Sequence, residues 1–288
     1  VRLSVEQFRA WDRKCVTLLG MSGVGKTRLS NLLRRKEWFH YSGDYRIGTR
    51  YLDEPILDSI KDQAMSVPLL RDLLRSDSIF IRNNITFHNL KPVSTFLGML
   101  GNPELGGMPL TEFKRRQSLH RQAEIAAMYD VPSFIRKSRM IYGYSHFIND
   151  VGGSLCELDE PGLLEFLAEY SLILYIKASE EDETALIARS VSHPKPLYYR
   201  EAFLDDHLAE YMQINELEYV SLIDPFDFTR WVFPRLFRAR IPRYEAIARD
   251  YGYTVTTQEL SMVNSESDFL QLLEEVIARE SSTQSVAL

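Results

Sequence analysis

The hydrophobic pattern of the chain changes period repeatedly. Short apolar runs, rich in β-branched and aromatic residues, fall at 15–19 (Cys-Val-Thr-Leu-Leu), 38–41 (Trp-Phe-His-Tyr), 140–142 with 145–149 (Met-Ile-Tyr and Ser-His-Phe-Ile-Asn), 171–176 (Ser-Leu-Ile-Leu-Tyr-Ile) and 253–256 (Tyr-Thr-Val-Thr). Runs of that length and content predict buried strands. Between them the spacing shifts to three and four, as in 27–35 (Thr-Arg-Leu-Ser-Asn-Leu-Leu-Arg-Arg), which predicts helix. Strands alternating with helices predict an α/β fold, a three-layer α/β/α sandwich around a mainly parallel sheet, because right-handed crossovers are strongly preferred. The stretch 52–110 departs from this alternation; it is expected to be a helical insertion with one glycine-rich turn at 98–108. A second expansion is expected at 205–238, where Trp231, Phe233 and Phe237 lie among basic residues, and such aromatics more often fill a core than form a binding platform.

Length and charge narrow this picture. A chain of 288 residues suffices for a single domain, 1–288, that carries both additions around one core. Charged residues make up 26%, an ordinary globular share, so disorder is expected only in the last few residues. A net charge of -6 argues against broad nucleic-acid binding, which needs clustered positive charge. Among the cations, 25 are arginine and 9 lysine, and arginine forks suit bidentate capture of phosphate or carboxylate. Cys15 and Cys156 are too few for a disulfide framework and lack metal-ligand spacing, so buried reduced thiols and no structural zinc are expected. Residues 1–9 have no signal-peptide core and no run nears the roughly 18 apolar residues of a membrane span, so a soluble cytoplasmic protein without a membrane partner is expected.

The candidate chemistry begins directly after the first strand. Residues 20–27 read Gly-Met-Ser-Gly-Val-Gly-Lys-Thr, a full match to GxxxxGK[ST] in the strand–loop–helix context that gives the motif meaning. Gly20, Met21, Ser22, Gly23, Val24 and Gly25 are expected to turn backbone N–H groups around the phosphates of ATP. Lys26 is then expected to reach the β and γ phosphates and Thr27 to bind Mg2+, with Arg28 completing the nucleotide-binding segment. Asp44, just after the second strand, stands where it can orient a substrate hydroxyl or take its proton. Asp150 follows the third strand as an acid that would hold magnesium, and Gly152 and Gly153 behind it allow close backbone approach to the γ-phosphate or acceptor. Of the histidines, His146 is expected to be an interior hydrogen-bonded residue.

With these residues in place, the chain resembles the shikimate kinase branch of small P-loop kinases, with adenylyl-sulfate kinase a looser relative. Four further stretches carry the likeness. Ser118-Leu-His-Arg121-Gln-Ala-Glu124 is similar to the helix that supplies a substrate-binding arginine, and Arg240-Ile-Pro242-Arg-Tyr244 to the RxPxY helix whose arginine binds the acidic substrate. Ile187-Ala-Arg189 and Lys195-Pro196-Leu197 resemble the lid, placed at 180–200, where one arginine packs near adenine and a basic residue closes over the phosphates. Tyr253-Thr-Val-Thr256 stands where the last strand would be. The resemblance implies that Arg121 and Arg240 bind acceptor and that Arg189 and Lys195 bind nucleotide. Ser42, the shortened Gly152-Gly153-Ser154 and Lys195 depart from the pattern, so the acceptor is left as a hydroxylated, anionic small molecule.

The expected function is therefore an ATP- and Mg2+-dependent small-molecule kinase. The alternative is an ATPase-type switch that uses 52–110 and 205–238 to engage a protein partner, since fold does not fix function. Transfer to a nucleotide or a nucleic-acid end is disfavoured by the acidity of the chain.

Overall fold

The computed structural model describes residues 3–34 and 36–285, with side chains as far as 281. Arg35, at the end of the helix expected over 27–35, lies outside the described residues, as do 286–288 and the disorder expected there. In chain order the elements are α1 (Val5–Ala10), β1 (Cys15–Leu19), α2 (Lys26–Leu33), β2 (Trp38–Ser42), α3 (Gly43–Arg46), α4 (Asp53–Met65), α5 (Pro68–Arg75), α6 (Lys91–Leu97), α7 (Leu110–Tyr129) and α8 (Val131–Met140). They continue with β3 (His146–Asp150), α9 (Leu163–Tyr170), β4 (Leu172–Lys177), α10 (Glu180–Ser192), α11 (Glu201–Ile214), α12 (Pro225–Tyr251), β5 (Gly252–Thr256), α13 (Thr257–Ser261) and α14 (Glu266–Ser285). The chain divides into two compact units, one of 1–43, 128–193 and 230–288, the other of 44–127 and 194–229.

The first unit holds all five strands in one sheet, ordered β2-β3-β1-β4-β5, with every neighbouring pair parallel. β1 is buried along its whole length, as a central strand covered on both faces must be. The two faces follow from residue alternation. Phe39, Tyr41 and Phe147 point one way and meet Phe134 of α8 or one another, and Asn149 donates to Thr17 and Met128 on that same side. Trp38 points the other way, against Phe269 of α14, and its indole N–H donates to Glu266 at 2.7 Å. Helices thus cover both faces of a parallel sheet, the three-layer α/β/α arrangement of a P-loop kinase-like fold.

One expected strand segment is absent. Met140 ends α8, and Ile141 and Tyr142 form the turn after it, exposed at 78%, 66% and 62% respectively. The apolar triplet closes an amphipathic helix instead of opening β3, and Gly143 at φ +71° turns the chain toward Ser145. His146 accepts from the Lys14 backbone N–H at 3.1 Å, the hydrogen bonding expected of it, although as the first residue of β3 it is half-buried and not interior. Cys15 and Cys156 are buried free thiols. Phe233 and Phe237 are core residues, at 9% and 1% exposure, while Trp231 carries the Arg235 guanidinium 3.7 Å above its ring.

The second unit is helical, built from α4 to α6, most of α7, and α11. Its core includes Phe113 and Phe228, and Gln117 ties α7 to the chain at 197–199 by donating to the Leu197 carbonyl and accepting from the Tyr199 N–H. The glycine-rich turn closes by a Leu100–Met108 bridge. Among the described residues no helix is long and apolar enough to cross a membrane.

Candidate functional site

The loop between β1 and α2 is shaped by conformations that side-chain-bearing residues rarely adopt. Gly23 has φ +95°, and a Cβ there would stand 2.7 Å from Leu186 and collide with the Arg189 guanidinium. Gly25, at φ +101°, caps α2 without supplying a side-chain acceptor. The first-turn N–H groups of α2 are thereby left to an anion, with the helix dipole favouring negative charge at the same point. Lys26 opens the helix and is only 6% exposed. Its ammonium bends back over the loop and donates to the carbonyls of Gly20 at 2.7 Å and Met21 at 3.1 Å. A buried cation thus sits on carbonyl dipoles inside the bowl, which a phosphate oxygen can displace with full opposite charge.

At the base of the bowl Thr27 Oγ1 donates to Asp150 Oδ2 at 2.8 Å. The register explains the meeting, because Asp150 is the last residue of β3 and pairs with Leu18 and Ser42 at the carboxyl ends of β1 and β2. Asp150 is 7% exposed, and His40 Nε2 lies 3.5 Å from the same carboxylate oxygen. Among the described residues no group of three or more His, Cys, Asp or Glu is arranged to hold a metal, so a cage made wholly of protein ligands is not present. One carboxylate and one hydroxyl fit Mg2+ instead, a hard cation that keeps several waters and takes further oxygens from substrate phosphates.

The turn after Asp150 lies against the loop. A Cβ on Gly153 would stand 3.0 Å from the Ser22 backbone nitrogen, so only glycine permits this approach without a shift. α12 grips the same residue from behind. Arg240 Nη1 and the Tyr244 hydroxyl both donate to the Gly153 carbonyl, at 2.8 and 2.6 Å. Tyr244 also stacks on Tyr175, with ring centroids 5.2 Å apart. One turn on, Arg243 donates to the Cys156 carbonyl at 2.7 Å and pairs with Asp159. Between the two arginines sits Glu157, 1% exposed, 4.0 Å from Arg240 and 3.7 Å from Arg243. Burial pushes the neighbouring Cys156 thiol up to about 12, against the opposing pull of Arg240.

A cavity of about 370 Å³ opens beside Gly23, Val24 and Gly25, walled by α10 and by residues 257–261. Arg28 donates to the carbonyls of Leu260 and Val263, fixing that wall to α2. The Thr257 hydroxyl donates to Asp182 at 2.5 Å and the Ser179 hydroxyl donates to it at 2.9 Å, and these hydrogen bonds, Thr257 first and Ser179 second, hold the Asp182 carboxyl below its ordinary range. Arg189, exposed on α10, forms the rim.

The structure therefore gathers Gly20 to Arg28, Asp150, Gly152, Gly153, Arg189 and Arg240 in the first unit. Arg240 is 5% exposed and engaged on Gly153 and beside Glu157, a setting its helical position alone does not disclose. Asp44, Arg121 and Lys195 belong to the second unit: Asp44 half-buried in α3, Arg121 half-buried on α7, Lys195 exposed between α10 and α11. Sequence reasoning missed His40, Asp182 and Thr257. His40 was legible as the strand residue two before Ser42, on the edge that meets Asp150. Asp182 and Thr257 meet across 75 residues of chain and left no local signal.

No family model matches the chain, and no curated protein matches it. Among solved structures, a shikimate kinase from Bacteroides thetaiotaomicron is similar at 13% identity and a TM-score of 0.32, over 78% of this chain and 98% of that one. A likeness that distant transfers neither a substrate nor a residue role.

Proposed function

We propose that this protein binds ATP with magnesium at the loop of residues 20–27 and transfers the γ-phosphoryl group to a hydroxylated, anionic small molecule. The observation that carries the reading is the buried Lys26 ammonium, held inside a glycine loop directly above the Thr27–Asp150 contact. In it, the loop N–H groups and the first turn of α2 bind the phosphates, and Lys26 leaves its two carbonyls for the oxygens of the β and γ groups. Thr27 and Asp150 would hold magnesium, which would supply neutralisation of phosphate charge. The cavity between α10 and 257–261 takes the base, with Arg189 over it. The acceptor hydroxyl forms a new O–P bond while the bridge between the β and γ phosphates breaks, its proton passing to Asp44 and ADP leaving. Arg121 is the residue proposed to hold the anionic group of the acceptor, and Lys195 is proposed to bind nucleotide.

The test is calorimetric titration with ATP and with ADP, each with and without magnesium, followed by an ATP-consumption screen against hydroxy acids, sugars and nucleosides beside a reaction lacking acceptor. Acceptor-dependent ADP release is the expected result. Consumption that is equal without any acceptor would establish the ATPase-switch alternative, and absence of nucleotide binding would overturn both.

A further inference from the structure

The helical unit holds a second cavity that the nucleotide reading does not use. It measures about 300 Å³ and lies between α4 and α6, with Arg116 of α7 at its inner wall. That size is at the small end of ligand-binding cavities, which run to roughly 300–1,000 Å³. Ile56, Ile60, Pro92 and Phe96 give it an apolar body. Two of its lining residues, Lys91 and Arg116, are cationic, and none is acidic.

Arg116 is placed with unusual firmness for an arginine. Its side chain is 14% exposed, its Nε donates to Glu112 at 2.6 Å, its Nη1 to the Phe96 carbonyl at 2.8 Å and its Nη2 to the Ser59 hydroxyl at 3.1 Å. The guanidinium also lies 4.8 Å from the Phe96 ring centroid. A guanidinium has five N–H donors, three of which these bonds use, and Arg116 lines the cavity. Its charge is only partly offset. Glu112 serves Arg115 and Arg116 together, and their hydrogen bonds, that of Arg115 foremost, hold its carboxyl down at about 2. One carboxylate against two guanidinium groups leaves a positive residue, to which Lys91 at the mouth adds.

We propose that this cavity binds a small monocarboxylate with an aromatic or branched aliphatic body, the carboxylate on Arg116 and Lys91 and the body against Ile56, Ile60 and Phe96. A prepositioned fork at the end of an apolar slot selects for one planar anion carrying apolar mass, and a polyanion such as a nucleotide has no second cationic wall to meet there. Binding here is independent of the nucleotide site.

The experiment titrates the full chain with phenylacetate and with 4-methylvalerate, each beside its neutral amide, by calorimetry and ligand-observed NMR. Both acids are expected to bind saturably, with the amides weaker by about tenfold or more, the worth of one charge-assisted bond. Ile60→Trp fills the slot from a residue that is 39% exposed, and should abolish binding without unfolding the protein. Lys91→Glu, at the exposed mouth, should weaken the acids and leave the amides unchanged. Acids and amides binding alike, binding that survives Ile60→Trp in a folded protein, or no saturable binding up to about 10 mM would each overturn the proposal.

Discussion

The grip of α12 on the segment after Asp150 gives a graded prediction that separates hydrogen bonding from charge. Tyr244→Phe deletes the hydroxyl that donates to the Gly153 carbonyl and meets the Cys156 thiol, while the ring still stacks on Tyr175 and Arg240 still donates to the same carbonyl oxygen. The expected loss is that of one ordinary hydrogen bond, about 1 kcal/mol. Arg240→Met keeps most of the buried volume but strips Glu157 of one of its two cations. Glu157 is 1% exposed and its Oε2 has no hydrogen-bond partner among the described residues, so the carboxylate is poorly compensated from the outset. Removing one partner of a buried pair costs about 3–5 kcal/mol, and because Arg243 remains 3.7 Å away the lower end applies, roughly 3 kcal/mol. Adding Glu157→Gln removes the stranded charge, so the double variant should be more stable than the sum of the singles by about 1 kcal/mol or more.

Urea denaturation followed by tryptophan fluorescence reads this out, because Trp11, Trp38 and Trp231 all belong to the first unit. The reasoning is refuted if Arg240→Met costs no more than Tyr244→Phe, or if the effects of Arg240→Met and Glu157→Gln simply add.

Lys26→Met should abolish nucleotide binding measurable by calorimetry while leaving the first unit folded, since methionine keeps much of the buried apolar stem and removes the ammonium that donates to the loop carbonyls. Asp150→Asn should raise magnesium-free ATP affinity, by relieving the repulsion of a buried carboxylate, and erase most of the gain that magnesium gives, which a paired titration measures. Gly23→Ala should destabilise by about 1–2 kcal/mol from the left-handed backbone alone and weaken ATP at least as much, with Arg189→Ala on that background recovering part of the loss in thermal unfolding. Cys156 is expected to make stability fall at alkaline pH: the unfolded thiol ionises near 9 while the folded one stays protonated to about 12, so stability present below pH 9 is lost as pH rises. The parent should therefore lose about 1.4 kcal/mol per pH unit more than Cys156→Ala between about pH 9 and 11 in chemical denaturation.

Much of the first unit was legible because its signals are local. Five apolar runs announce five strands, and Gly20 to Thr27 carries its own backbone requirements in its glycines. The Met140–Tyr142 triplet misled for the opposite reason. Three apolar residues in a row fit a strand or the frayed end of a helix equally well, and only Gly143 and the outward packing of α8 decide between them. The setting of Arg240 was hidden by distance, since Gly153 and Glu157 lie more than 80 residues earlier in the chain. A helical arginine reads as solvated until the segment that buries it is known. The cavity of the second unit was equally invisible, because Arg116 is one of three consecutive basic residues, 114–116, which face different ways. Lys114 bridges to Glu201 and Asp205, Arg115 to Glu112, and Arg116 turns inward to Phe96 and Ser59.

On the proposed function, the hydrogen bonds of the loop imply that nucleotide and magnesium bind as one event. Lys26 rests on two carbonyls of its own loop, and Thr27 rests on the carboxylate with which it would share a metal. Neither group waits unsatisfied, so binding is an exchange of partners and its gain is the difference between the new bonds and the old. For Lys26 the exchange is favourable with phosphate alone, because full negative charge replaces carbonyl dipoles. For Thr27 and Asp150 it is not. A triphosphate arriving without its cation brings negative charge toward a carboxylate that is 7% exposed and poorly screened by water. Thr27 and Asp150 would together hold the cation, which would supply the positive charge that reverses the sign of that encounter. On that proposal the two halves of the site differ in kind: Lys26 would gain from phosphate itself, while Asp150 would oppose phosphate until a divalent ion came with it.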